Sequence, residues 1–215
     1  MKRPVILLTG FEPFGGAGSN PSWEAVQQVK ADWQEEAALH IACLPVVFAE
    51  AAERIDAMIT LLEPDIVVAT GLAEGRAAMA AEVIAINRID ARIPDNDGMQ
   101  PRDVPVSAPG PDGLFSTLPV KPMVKAMLEV GVPAGLSYSA GTFVCNSTFY
   151  KVVAAQSRHG GMGGFIHVPA TPDMVERADC PTMSVEVIAT GLHAALMACL
   201  RGDRDAPSLE TGTIA

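Results

Sequence analysis

The sequence predicts an α/β domain: a mostly parallel sheet with helices on both faces. Two observations carry this. Short β-branched apolar runs alternate with longer segments of helical pattern, the order that parallel sheets require. The runs are also apolar at nearly every position, as in strands covered on both sides. A chain of 215 residues accommodates a single sizeable domain (1–215), and no internal repeat or low-complexity tract divides it.

Taken in order, residues 5–9 form the first expected strand. Asn20 is a good N-cap and Pro21 suits the first helical position, so a helix is expected to about residue 31. Strand 41–47 and helix 48–62 follow, the latter closed by Glu63-Pro64, and then strand 66–70. A weaker strand is expected over 82–87. Residues 87–113, rich in Pro, Gly and Asp, read as a long ordered loop, a feature often tied to function. Helix 122–130 stops at Gly131, a C′ glycine. A weak strand (135–139) and a helix (145–158) ending before His159-Gly160-Gly161 come next. Strand 165–168 and helix 184–200 complete the scheme, leaving 202–215 as a polar, peripheral tail.

Composition narrows the function. Asp and Glu outnumber Lys and Arg by 25 to 15, a net charge of −10 that repels phosphate backbones, so no nucleic-acid partner is expected. No apolar run approaches the roughly 18–20 residues of a membrane span. The run at 5–8 is too short for a secretory signal, so a cytoplasmic location is expected. The four cysteines form no CxxC pair and read as free thiols, and no HxxxH or HExxH pattern suggests a metal.

Four motifs carry the chemistry. The glycine loop Thr9-Gly10-Phe11-Glu12-Pro13-Phe14-Gly15-Gly16 follows the first strand. It lacks the Lys-Ser/Thr of a P-loop and the spacing of a dinucleotide fingerprint. It displays Phe11 and Phe14 at a sheet edge where α/β proteins bind ligands, although each also reads as core. Gly141-Thr142-Phe143-Val144-Cys145-Asn146 puts a cysteine at a helix start, where unsatisfied N–H groups favour thiolate and can hold an oxyanion. Cys43 and Cys199 read as inert small hydrophobes, and Cys180 stands in a polar loop. His167 ends an apolar strand before Pro169; singly it also reads as a core histidine, while His40, His159 and His193 lack that setting. Glu82, beside a buried strand, either orients an imidazole or is a strand-end acid.

Together these motifs resemble the pyroglutamyl peptidase I family across nearly the whole chain. The likeness rests on 8–16, Asn20-Pro21-Ser22-Trp23-Glu24-Ala25-Val26, Ala85-Ile86-Asn87, Asp90-Ala91-Arg92-Ile93-Pro94-Asp95-Asn96, 139–146 and Gly164-Phe165-Ile166-His167-Val168-Pro169. The resemblance implies Cys145 as nucleophile, His167 as base and Glu82 as orienter. It also implies substrate positions at Phe11, Phe14, Asn20, Leu72, Arg92, Ile93, Phe143 and Val144. A three-layer α/β/α sandwich, no cofactor, peptides with N-terminal pyroglutamate as substrates and a homotetramer follow from it too. The chain departs from the family at Leu72, where relatives often have Gln, and at Val46, where many have Thr. Two rival readings remain on the sequence: a nucleoside phosphorylase-like transferase using the glycine loop, and a non-catalytic binder of lactam-capped peptides.

Overall fold

A computed structural model describes residues 3–175 and 179–202. Strand β1 (Val5–Phe11) is an interior strand of the sheet, and its alternating side chains divide the core. Ile6 and Leu8 pack toward α1 (Pro21–Asp32), α3 (Val120–Glu129) and α5 (Val185–Arg201). Leu7 and Phe11 pack toward α2 (Phe48–Leu62) and α4 (Val144–His159). β3 (Ile66–Leu72) and β8 (Met162–Val168) repeat the division, with Val68 and Ile166 on the first face and Val67 and Phe165 on the second. Both faces are covered, which is why these strands are apolar at consecutive positions.

The six-stranded sheet has the order β2-β1-β3-β8-β4-β7, where β2 is Ala38–Leu44, β4 is Met79–Glu82 and β7 is Ala134–Ser137. The strands β2, β1, β3 and β8 are parallel; β4 is antiparallel to β8 and parallel to β7. The chain leaves β1 through α1 toward β2, then returns through α2 to β3 on the other side of β1. That reversal opens a crevice at the carboxyl ends of β1 and β3. Gly10 permits the first wall of the crevice. A Cβ there would stand 2.6 Å from the Trp23 backbone, so only glycine lets the start of α1 sit against β1. Ser22 Oγ then accepts from the Phe11 N–H, 3.0 Å away.

Several boundaries differ from expectation. β2 spans Ala38–Leu44 rather than 41–47, because it is an edge strand. The strand expected at 82–87 divides at Val83: β4 stays in the main sheet, while β5 (Ile84–Ile86) pairs with the unforeseen β6 (Gly113–Phe115) in a separate sheet. β8 starts at Met162, through two glycines, and α4 starts at Val144, one residue early. Between β5 and β6 the chain is irregular apart from an Ile89–Val104 bridge. The expected tail lies outside the described residues from 203 onward. Among the described residues, no helix is long and apolar enough to cross a membrane.

Candidate active site

Strand register brings the first two polar groups together. β8 pairs with β4 so that Glu82 lies opposite Phe165 and Ala80 opposite His167. Glu82 and His167 are therefore diagonal neighbours on one face, a relation that long side chains can span. His167 Nδ1 and Glu82 Oε1 are 2.7 Å apart, both side chains almost wholly buried. With Nδ1–H donating to the carboxylate, the Nε2 lone pair is left free.

On the other side of β8, Gly71 of β3 is the register partner of His167, one strand spacing of about 4.8 Å away. The Cys145 sulfur fills the space above Gly71: a Cβ on this glycine would come within 2.9 Å of Sγ and 2.9 Å of Phe165 Cζ. The Phe165 and His167 ring centroids are 4.8 Å apart. Thiol, imidazole and carboxylate thus occupy one face at three adjacent strands. Cys145 is the second residue of α4, whose N-cap Phe143 supplies no side-chain acceptor. By contrast, Asn20 and Ser184 cap α1 and α5, and Asp95 Oδ2 accepts from the first N–H of α2 at 3.0 Å. Among the described residues, none supplies such a side-chain cap to the leading N–H groups of α4.

The resting electrostatics correct the expectation of a ready thiolate. Burial pushes the Cys145 thiol up to about 12, and the nearby Glu82 charge adds to the rise; its own N–H and Arg76 act in the opposite direction. The residue keeps part of its surface open to the cavity, so solvent tempers the rise but not its direction. Burial likewise lowers the proton affinity of His167 below the ordinary imidazole value, outweighing the Glu82 hydrogen bond and charge. For Glu82, burial pulls upward, but the His167 hydrogen bond and charge, Ser137 and Arg76 together keep it below the usual carboxylate range. Ser137 is its register partner on β7, although Glu82 Oε2 has no well-formed hydrogen bond. At rest the site holds a thiol, a neutral imidazole and a carboxylate anion.

Above the thiol lies a cavity of about 660 Å³. Phe11, Phe14, Val46, Leu72, Ile93, Phe143, Val144 and Cys145 line it, together with the Gly15-Gly16 backbone. Phe143 packs against both Phe14 and Phe48, with centroids 5.3 and 5.2 Å away. Glu12 Oε1 accepts from the Val46 N–H (3.1 Å) and Asn96 Nδ2 (2.8 Å), tying the glycine loop to the wall that carries Ile93. Asn20 also borders the cavity, but its Oδ1 already accepts from Ser22 N–H and Ser22 Oγ, and its Nδ2 donates to Glu12 O. Arg92 lies outside the cavity lining, in an adjoining groove with Glu74, Gly75, Asp179 and Cys180. Sequence reasoning gave no role to Ser137 or Arg76, and to Gly71 only that of a backbone group facing the lactam. The buried position of Glu82 was the available signal, since a buried carboxylate calls for a cation nearby.

A wound α/β sheet with a thiol, an imidazole and a carboxylate at its carboxyl edge is the arrangement of a cysteine-type hydrolase. The pyroglutamyl peptidase family model matches residues 4–202, and the chain belongs to that family. It is 44% identical over 203 residues to a pyrrolidone-carboxylate peptidase of Clavibacter michiganensis, covering 94% of this chain and 95% of that one. A Brevibacillus brevis pyrrolidone-carboxylate peptidase is 43% identical over 204 residues, with the same coverage of 94% and 95%. Among solved structures, pyroglutamyl peptidase I of Bacillus amyloliquefaciens superposes with a TM-score of 0.89 at 38% identity, covering 93% of this chain and 98% of that one. A mutant pyrrolidone carboxyl peptidase of Pyrococcus furiosus gives 0.88 at 37%, covering 92% and 99%.

Proposed function

We propose that the protein is a cysteine exopeptidase that hydrolyses the amide bond after an N-terminal pyroglutamyl residue, with Cys145 as nucleophile, His167 as base and Glu82 as orienter. The observation that carries this is the 2.7 Å Glu82–His167 contact beside the thiol above Gly71. Neither rival reading gains support: the relatives named above are peptidases, and among the described residues no Lys or Arg lines the cavity to hold a phosphate.

A pyroglutamyl ring is an uncharged lactam, suited to an apolar slot with a few backbone hydrogen bonds. Phe11, Phe14, Ile93, Phe143 and Val144 form the slot, with Leu72 and Val46 making it more apolar than in many relatives. Asn20 braces the loop that forms one wall. Arg92 stands at the rim, in the groove that adjoins the slot at Glu74.

The chemistry begins from a neutral thiol and a neutral imidazole. His167 Nε2 takes the Cys145 proton as sulfur attacks the pyroglutamyl carbonyl carbon, and the carbonyl π electrons move to oxygen. The uncapped N–H groups at the start of α4 hold that oxyanion. Collapse breaks the C–N bond, and the imidazolium gives its proton to the departing amine. Water then loses a proton to His167, attacks the thioester and releases pyroglutamic acid, and the proton returns to sulfur. Glu82 holds Nδ1–H throughout and stabilises the imidazolium formed in each half-reaction.

The test is release of a chromophore from a pyroglutamyl-amide beside prolyl- and alanyl-amides. The pyroglutamyl compound is expected to be cleaved and the prolyl one poorly, since proline lacks the ring carbonyl; each lost hydrogen bond costs about 1–3 kcal/mol. Equal turnover of all three would sink the reading. Glu82→Gln is expected to lower kcat by about 10²-fold or more, and wild-type rates in that variant would remove the orienter.

We also propose a cytoplasmic location and a homotetramer, readings supported by likeness to the family alone.

A further inference from the structure

Arg76 takes no part in the chemistry above, yet it touches the group on which that chemistry leans. Its side chain is 33% exposed and extends from the turn after β3 to the end of β4. Nη1 donates to Glu82 Oε1 at 3.1 Å, and Nη2 donates to the Ser139 carbonyl at 3.3 Å. The oxygen that Arg76 grips is the same Oε1 that faces His167 Nδ1. Ser139 begins the segment that leads into α4 and Cys145. One guanidinium therefore ties together the β3–β4 turn, the orienting carboxylate and the approach to the nucleophile.

A fully buried carboxylate is costly unless charge and hydrogen bonds compensate it. In the resting site His167 is neutral and supplies a hydrogen bond but no charge. Among the described residues, Arg76 is the permanently charged cation within ion-pair distance of Glu82. We propose that Arg76 is a positioning residue, holding Glu82 as an anion against His167 while the imidazole is uncharged and so setting how readily His167 accepts the Cys145 proton. This rests on the function proposed above.

The sign follows from the groups that face one another. Glu82 faces His167, Arg76 and Ser137, while His167 and Cys145 each face the charges of Glu82 and Arg76. Arg76 opposes the protonation of His167 and favours that of neither carboxylate nor thiol. Without it, Glu82 meets His167 with its charge uncancelled, so imidazolium is favoured. The acid limb of the rate–pH profile then moves to higher pH.

The experiment uses the full chain with Arg76→Gln and Arg76→Lys, measuring kcat and KM for a pyroglutamyl-amide from about pH 5 to 9. The His167 ring is titrated by NMR in parallel, assigned among four histidines with His167→Gln. Arg76→Gln is expected to lose about tenfold or more in kcat with KM changed less than about twofold, because a freed Glu82 no longer fixes the imidazole even though the imidazole itself is more basic. Its acid limb and its His167 midpoint should rise together by about half a pH unit or more. Arg76→Lys should lie between the two proteins, and guanidinium at sub-denaturing concentration should restore part of the rate in Arg76→Gln. An unmoved limb and midpoint would overturn the proposal, including the case where only KM rises. Should Arg76→Gln fail to fold, Arg76→Ala takes its place, and an unmoved limb and midpoint there would overturn the proposal equally. A wild-type protein inert on the amide would instead remove the peptidase reading, while the His167 titration still reports on Arg76.

Discussion

Cys145 and Cys199 are both helical cysteines whose thiols burial pushes up to about 12. Their surroundings differ. Cys199 lies in α5 at 1% exposure, enclosed by the core beneath the sheet. Cys145 stands at the mouth of α4, partly open to the cavity, above Gly71 and one strand from His167. Resting acidity does not distinguish the two thiols. Access, an imidazole on the neighbouring strand and a helix start without a side-chain cap among the described residues do. The helix terminus does not win on its own: an N-terminal partial charge is worth about 0.3–1 kcal/mol, whereas each pKa unit of desolvation is about 1.36 kcal/mol. Proton removal must therefore accompany attack.

The comparison breaks most readily on activity. Cys145→Ala is expected to lower pyroglutamyl-amide turnover by about 10³-fold or more, with the folded state intact by circular dichroism. Cys199→Ala should leave kcat/KM within about twofold and cost about 1 kcal/mol of stability through the small cavity it leaves. Comparable activity losses in the two variants would erase the distinction.

Alkylation sharpens it next. A raised thiol gains thiolate about tenfold per pH unit, so iodoacetamide should inactivate about 10²-fold faster at pH 9 than at pH 7. The label should map to Cys145, with Cys199 silent until the protein unfolds. A flat rate across neutral pH would mean a preformed thiolate–imidazolium pair, contrary to the burial that dominates both groups.

How much of this was legible in the sequence depended on burial. Residues 5–9 and 66–70 were readable because covered strands are apolar at successive positions. β2 was displaced by three residues because an edge strand does not obey that rule: His40 is exposed and Ile41 only half-buried. The expected strand began only at 165, after the glycines at 163 and 164, yet β8 runs through them, since Val152, Gln156, Ser116 and Leu118 press on the positions where side chains would stand. Cys145, His167 and Glu82 were singled out by local context that was weak one residue at a time and was joined by the family resemblance. Gly71 and Arg76 stood only within a segment compared with the family, with no side-chain role. Their importance comes from strand register and from a buried charge, which only the assembled sheet displays.

The smallest effect, and the finest probe of the comparison, comes from two glycines. In the helix that carries Cys199, a Cβ on Gly191 would stand 2.5 Å from Met79 Sδ, so Gly191→Ala strains core packing between α5 and β4. Near Cys145, a Cβ on Gly71 would stand 2.9 Å from the sulfur itself and 2.9 Å from Phe165 Cζ, the ring that packs on His167. Overpacking of either kind costs about 1–3 kcal/mol of stability. The consequences for turnover should differ, because a displacement of about 1 Å between reacting groups can cost as much as 10²-fold. Gly71→Ala is expected to lower kcat about tenfold or more, with KM nearly unchanged because the slot lies on the far side of the sulfur. Gly191→Ala should lower the melting temperature by a similar amount and leave kcat alone. Equal kcat in the two variants at matched stability would show that the sulfur tolerates displacement, and that its place above Gly71 matters only for packing.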